Sequence, residues 1–255
     1  YAWVVEVDIK RFFDCVRHDL ILRALEAHGP PAWVMLFVRR WLEAPMVDRD
    51  GEVQERSKGT PQGGVISPLL ANLFLHYGMD RWMERTFSDC PFERYADDSV
   101  IHCRSKQMAD QVLRSLSDRM AEVGLELNPT KTRIVYVGRG AAPHGAVREF
   151  TFLGYDFKQR TLVDRNGVLF RSIAPGASKS AMREMTRTIK GWRIHRSSGA
   201  TLRELAQRHN ATLRGWINYY GKFWYRNFSY QLWSVFQSRL VKWMSCKYRL
   251  SQRAA

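Results

Sequence analysis

Long apolar runs are missing from this sequence. None approaches the roughly 20 residues that cross a bilayer, so neither a membrane span nor a membrane partner is expected. No signal-peptide pattern precedes the first strand-like run, and residue 1 is Tyr, so a piece of a longer chain is expected. Cysteine is scarce: Cys15, Cys90, Cys103 and Cys246 show no paired spacing. That excludes a disulfide framework and suits a reducing compartment, either a bacterial cytoplasm or an organellar matrix. Cys15 and His18 form a lone C-x-x-H without a second pair, so no zinc site is expected. No internal repeat is visible.

The most informative shortage is of negative charge, and it is local. Residues 1–175 carry 24 Lys/Arg against 23 Asp/Glu, whereas residues 176–255 carry 16 against only Glu184 and Glu204. A tail so depleted in acid repels itself unless a polyanion partners it, and nucleic acid fits better than an anionic membrane surface. The same tail holds 13 aromatics, clustered in RGWINYYGKFWYRNFSYQLW (214–233), most of whose rings are expected to be core. Two domains follow, 1–174 and 175–255, with the seam near Ala174-Pro175-Gly176.

The front reads as mixed. AWVVEVDI (2–9) is a buried strand ending at Asp8, and HDLILRALEAHG (18–29) and AWVMLFVRRWLEA (32–44) have helical apolar spacing. Arg49-Asp50-Gly51 reads as a hairpin turn. Residues 67–87 begin with Ser67 as N-cap and Pro68 at the first helical position, a start signal for a long helix. Two strands fold around Asp97-Asp98, and residues 105–124 are an amphipathic helix between Ser105 and Gly124. Strands at 132–137, at 150–157 and flanking Asn166-Gly167 close the front. The back reads as three helices near 178–194, 201–222 and 229–246. The expected class is α+β, an antiparallel sheet with helices on one face, followed by an all-helical domain.

Adjacent carboxylates in a strand-like run need compensation, because like charges repel and strands disfavour Asp. If the strand ending at Asp8 neighbours the Asp97-Asp98 pair, three carboxylates converge at one sheet edge. Oxygen-only ligands favour Mg²⁺, and two ions about 3.5–4 Å apart can clamp an attacking hydroxyl and a leaving pyrophosphate. On the pair alone, a solvated hairpin turn accounts for these residues equally well. RSKGTPQGGVISP (56–68) is a glycine loop entering a helix, where a backbone can approach a ligand. In LELNPTKT (125–132), Lys131 lies just before a strand.

Taken in order, VDIKRFFD, GTPQGGVISPLLANLFLH, YADD, LNPTKT and FLGYDF resemble the successive motifs of reverse transcriptases, most closely those encoded by group II introns. SKSAMREMTRTIKGW…LRGWINYYGKF is similar to the maturase-specific (X or thumb) segment of that family. The resemblance spans nearly the whole chain. It implies a polymerase-type palm followed by an all-α three-helix thumb.

It also implies an RNA-directed DNA polymerase that assists intron splicing and retrohoming. Asp8 and Asp97 would hold two Mg²⁺ ions, or Mn²⁺ in their place, with Asp98 as the third carboxylate. Phe13 matches a steric gate that excludes a ribose 2′-hydroxyl. Phe12 is expected to be the core residue of that pair, because neighbours on a strand face opposite ways. Gln62 and Gly63 would sit beside the nascent base pair, Lys131 near the triphosphate, and Phe152, Leu153 and Gly154 at the primer grip. The implied partners are intron RNA, an RNA template with a DNA primer, and deoxynucleoside triphosphates, the basic helices holding the nucleic acid. The sequence departs from the family in carrying no fingers region before VDIKRFFD, and Ser99 stands where an apolar residue is usual. An RNA-binding maturase with an idle polymerase site and a retron-type enzyme are the competing readings.

Overall fold

The computed structural model describes residues 1–47, 50–61, 63–138 and 141–249. The chain divides into two compact units, Tyr1–Arg148 and Glu149–Ala255. The seam expected near residues 174–176 lies inside a strand, β9 (Leu169–Ala177), which pairs along its whole length with β8 (Tyr155–Val163). Nine paired residues cannot serve as a linker, so the boundary falls earlier.

In the first unit, β1 (Trp3–Val7) lies between two antiparallel neighbours, β5 (Asp98–Cys103) and β6 (Arg133–Tyr136). With β4 (Phe92–Tyr95) outermost, the order is β4-β5-β1-β6. Side chains on a strand alternate between faces. Trp3, Val5 and Val7 join Ile101 and Cys103 in one buried cluster with Ile21 and Leu22 of α2 (His18–Glu26), Leu70 and Phe74 of α4 (Ser67–Leu75), and Leu116 and Met120 of α6 (Lys106–Glu122). Val4 and Glu6 take the opposite face. Helices therefore cover one side of the sheet, and Asp8, the residue after β1, falls on the other while Ile9 returns to the core.

Local signals hold in detail in several places. Ser105 caps α6 by accepting from the Met108 amide at 3.1 Å, and Gly124 (φ +81°) ends the turn after it. The short α3 (Ala32–Glu43) follows Pro31. Strands β2 (Met46–Val47) and β3 (Val53–Gln54) form the expected hairpin, although Arg49 of its turn is outside the described residues.

Two expectations fail. Ser67 is the first helical residue of α4, with Ile66 at the cap, and its hydroxyl donates instead to the Pro61 carbonyl at 2.7 Å. The long helix is interrupted by a π-helical turn, His76–Asp80, before α5 (Arg81–Thr86). Phe12 and Phe13 lie on a helical turn, α1 (Phe12–Cys15), so strand alternation does not govern them. Phe12 is nonetheless buried while Phe13 is half-buried at the edge of the core.

The second unit holds a three-stranded antiparallel sheet and three helices. FTFLGYDF is a hairpin rather than one strand: β7 (Glu149–Phe152) turns through Leu153 (φ +50°) and Gly154 (φ +76°) into β8. Two positive φ values match the right-handed twist of flanking strands, and alternating aromatics hid this turn from a periodicity reading. The helices are α7 (Lys179–Gly191), α8 (Leu202–Tyr220) and α9 (Tyr225–Tyr248). Ser178 caps α7, and Thr201 with Glu204 forms a capping box on α8. Their core is small: Met185, Ile189, Phe228 and Leu232 form one cluster, Ile194, Leu205 and Trp243 another.

The expectation of mostly core rings in 214–233 is corrected. Tyr219, Phe223, Trp224, Tyr225, Tyr230 and Trp233 are all exposed, Tyr230 by 74%. Three helices and one small sheet offer too little interior for so many rings. No helix among the described residues is long and apolar enough to cross a membrane.

Candidate active site

The pairing Val7↔Ser99 puts Asp8, the next residue after β1, alongside Asp98, the first residue of β5. By pleat alternation both lie on the face away from the helices. The β4–β5 hairpin pairs Tyr95 with Asp98 across Ala96 and Asp97, and Ala96 adopts φ +54°, a left-handed conformation unfavourable for a residue with a Cβ. Turn and carboxylate pair are thus one feature.

The electrostatics report the same convergence. The Asp98 carboxyl, although exposed at its rim, is held above the ordinary carboxylate range. Desolvation by surrounding protein is the largest cause; the charges of Asp97, Asp8 and Glu6 add to it, and Lys131 opposes. Lys131 Nζ lies 2.9 Å from Asp8 Oδ1, and that carboxylate raises the lysine pKa by hydrogen bond and charge. The Asn128 amide donates to the Asp8 carbonyl at 2.8 Å, and the Thr132 hydroxyl lies 3.3 Å from both the amide and the carbonyl of Asp8. LNPTKT is therefore a backing for Asp8. Asn128 shapes it by accepting from the Thr130 amide at 3.1 Å and hydroxyl at 2.8 Å.

These donors are hard oxygens, and the repulsion felt at Asp98 is what a divalent cation would relieve. The Lys131 ammonium is the positive charge that now faces Asp8. Among the described residues, no three His, Cys, Asp or Glu side chains are grouped closely enough to hold one metal ion. The carboxylates fit a divalent cation in chemistry and field, without a ready-made ligand cage.

The glycine loop is strapped to the backbone of α1. The Gly59 amide donates to Val16 O and the Thr60 amide to Phe13 O, both at 2.7 Å, while His18 Nε2 lies 2.7 Å from Gly59 O. A Cβ at Gly59 would stand 2.8 Å from Asp14 O and 2.9 Å from Phe13 O, so only glycine fits at this φ of +83°. His18 thus has a structural use in holding the loop. Gly63 (φ +84°) has nothing within 4 Å of a built Cβ and stands open to an incoming group. Gln62 lies outside the described residues.

Asp8, Asp98 and Lys131 come together, with Asp97 in the adjoining turn, and Phe13 is tied to the glycine loop. Phe152, Leu153 and Gly154 belong to the second unit. There Tyr219 Oη donates to Leu153 O at 2.9 Å, the Ser178 amide donates to Gly154 O at 2.9 Å, and the Tyr155 hydroxyl donates to Tyr219 O. A Cβ at Gly154 would meet the Tyr220 hydroxyl at 2.7 Å. Burial pushes the Tyr155 and Tyr220 phenols up, aided by their tyrosine neighbours. Sequence reasoning missed Thr132, Asn128 and Arg94, whose partners are remote in sequence or carried by backbone.

The first unit is thus an antiparallel sheet covered by helices on one face, with carboxylates at one end of the other. Residues 1–157 match the family described as reverse transcriptase (RNA-dependent DNA polymerase), and residues 182–255 match the group II intron maturase-specific domain. The chain belongs to the reverse transcriptase family and carries a maturase-specific domain. It is 30% identical over 185 residues to protein YkfC of Escherichia coli, covering 60% of this chain and 46% of that one. It is 25% identical over 138 residues to the group II intron-encoded protein LtrA of Lactococcus lactis, covering 52% and 22%. The chain thus spans less than half the length of these curated relatives. In fold it is similar to apo telomerase from Candida tropicalis, with a TM-score of 0.50, 13% identity, and coverage of 61% of this chain and 31% of that one.

Proposed function

We propose that this chain is the palm and thumb of a group II intron reverse transcriptase, adding deoxynucleotides to a primer 3′-hydroxyl on an RNA template and binding intron RNA. The observation that carries the reading is the meeting of Asp8 with Asp98 on the sheet face away from the helices, beside Asp97, where the neighbouring carboxylates add to the desolvation that raises Asp98. An idle site has no physical need of such mutual repulsion.

Asp8 and Asp97 would hold two Mg²⁺ ions, with Asp98 contributing charge beside them. Bound there, the ions would lower the pKa of the attacking hydroxyl and neutralise the departing pyrophosphate. The protein residues supply position and charge, with no covalent intermediate. Thr132 and Asn128 fix the Asp8 backbone, so its carboxylate is held without reorganisation. Lys131, paired with Asp8 at 2.9 Å, would turn to the triphosphate as the site fills and hand its ammonium proton to the leaving group. Phe13, braced through its carbonyl by the Thr60 amide, would close off the space of a 2′-hydroxyl. Gly63, with Gln62, would line the nascent base pair. The turn at Phe152, Leu153 and Gly154, set on Tyr219 and Tyr220, would guide the primer. The basic helices α7 to α9 would neutralise phosphates, and their exposed rings would stack on unpaired bases.

Primer extension on RNA by the complete protein tests this. Asp97→Asn should lower the rate at least ~10³-fold while RNA affinity changes less than about twofold. Parallel loss of both would make the carboxylates structural. In the same assay Phe13→Ala should raise ribonucleotide incorporation, and unchanged selectivity would remove its gate role.

A further inference from the structure

Arg94, the third residue of β4, is 10% exposed at its side chain and has all three guanidinium nitrogens engaged. Nε donates to Asp80 Oδ1 at 2.6 Å and Nη2 to Asp80 Oδ2 at 2.5 Å, a bidentate fork. Nη1 donates at 2.9 Å to Asn72 Oδ1 and at 2.9 Å to the carbonyl of Ala96. That carbonyl belongs to the peptide linking Ala96 to Asp97. Its orientation therefore sets where Asp97 begins, and it follows the one positive φ in the turn. Asp80 is the last residue of the π-helical turn, a widening that recurs at functional sites, and His76 Nδ1 lies 3.7 Å from its carboxylate. Beside it, Ser99 is buried and its hydroxyl donates to Met79 Sδ at 3.8 Å, so the residue unusual for the family also ties the hairpin to that turn.

We infer that Arg94 is a positioning residue for the catalytic turn, joining Asp80 and Asn72 of the helical layer to the peptide that aims Asp97. A hydrophobic hairpin needs no buried ion pair to fold, and replacing such pairs by apolar groups is often neutral. What this fork adds is direction: four acceptor atoms on three residues held by one planar guanidinium, which the point charge of lysine cannot reproduce. Asn72 and Asp80 are thereby placed behind the site although neither reaches the open face. The inference rests on the reading of Asp97 as a metal-holding carboxylate.

The test uses the complete protein with Arg94→Lys, Arg94→Gln and Asp80→Asn, each followed by primer extension, thermal unfolding and Mn²⁺ binding by electron paramagnetic resonance without nucleotide. In folded Arg94→Lys, kcat should fall on the order of 100-fold with KM for the nucleotide nearly unchanged, as for a reacting group displaced by about 1 Å. Mn²⁺ affinity should weaken roughly tenfold, the effect of losing an outer partner of a metal ligand. Asp80→Asn should move both readouts in the same direction by less. If the Arg94 variants do not fold, Asp80→Asn alone decides. Wild-type kcat and Mn²⁺ binding in a folded variant, or losses matching only its unfolded fraction, would overturn the inference. Asp97→Asn runs as control: if it still extends primers, the functional reading fails; if it is inactive while the Arg94 and Asp80 variants behave as wild type, only the positioning role fails.

Discussion

The two units solve opposite problems with the same chain. The first is nearly neutral and buries a continuous core from Trp3 to Leu125, with its carboxylates gathered at one end of the sheet's other face. The second has two small clusters, a large excess of cations and six exposed rings within 214–233. Chemistry needs rigid placement, which a dense core supplies through packed rotamers and fixed backbone. Holding a long polyanion needs area and charge, which a thin core spares. The contrast teaches that one chain can divide precision from grip by where it places its acid.

That division can be broken from either side. The largest effect on RNA binding is expected from the second unit. Replacing Arg183, Arg187 and Lys190 of α7 together by Ala should weaken RNA binding roughly 50-fold near 0.15 M salt and reduce the salt slope by about 2, if each meets one phosphate. Filter binding over a salt series measures this, and kcat at saturating template should stay within about twofold. A flat salt dependence in the parent protein would remove the electrostatic reading of residues 176–255. Next, Gly59→Ala should destabilise the first unit by about 2 kcal/mol, because φ is +83° and the carbonyls of Phe13 and Asp14 block the methyl. Denaturant unfolding reads that cost, and RNA affinity should be unmoved.

The smallest effect concerns Asp98. Its folded carboxyl titrates above the unfolded value, so ionisation there opposes folding, fully so above the folded pKa. Asp98→Asn should therefore stabilise the protein at pH 7 by about 0.5 kcal/mol after solvent screening. The gain should shrink as pH falls through the folded pKa and vanish below the unfolded one. A constant gain across that window would assign it to something other than charge.

Much of this was legible in the sequence where information is local. Ser105, Ser178 and Thr201 cap helices because the hydroxyl and its amide partner lie three residues apart. The pair Asp97-Asp98 marked a hairpin, while motif order, not the pair itself, set Asp8 and Lys131 beside it. What stayed hidden depends on remote partners. Ser67 had every mark of a cap until Pro61 took its hydroxyl. The Leu153–Gly154 turn carries no Asn-Gly or Asp-Gly signal, and its stability comes from Tyr219, 66 residues away. Arg94 looks like an ordinary strand arginine until Asp80 is brought to it by a π-helical turn that no periodicity reveals.

The 2.7 Å bond from the Thr60 amide to the Phe13 carbonyl has a consequence for protein engineering. If Phe13 gates the sugar as proposed, nucleotide choice and the glycine loop are mechanically one object, so a library that varies position 13 alone samples a constrained landscape. Variants that accept bulkier sugars should emerge in pairs, with a compensating change between residues 58 and 61. Directed evolution that randomises both segments together should reach them in fewer rounds than either segment explored separately.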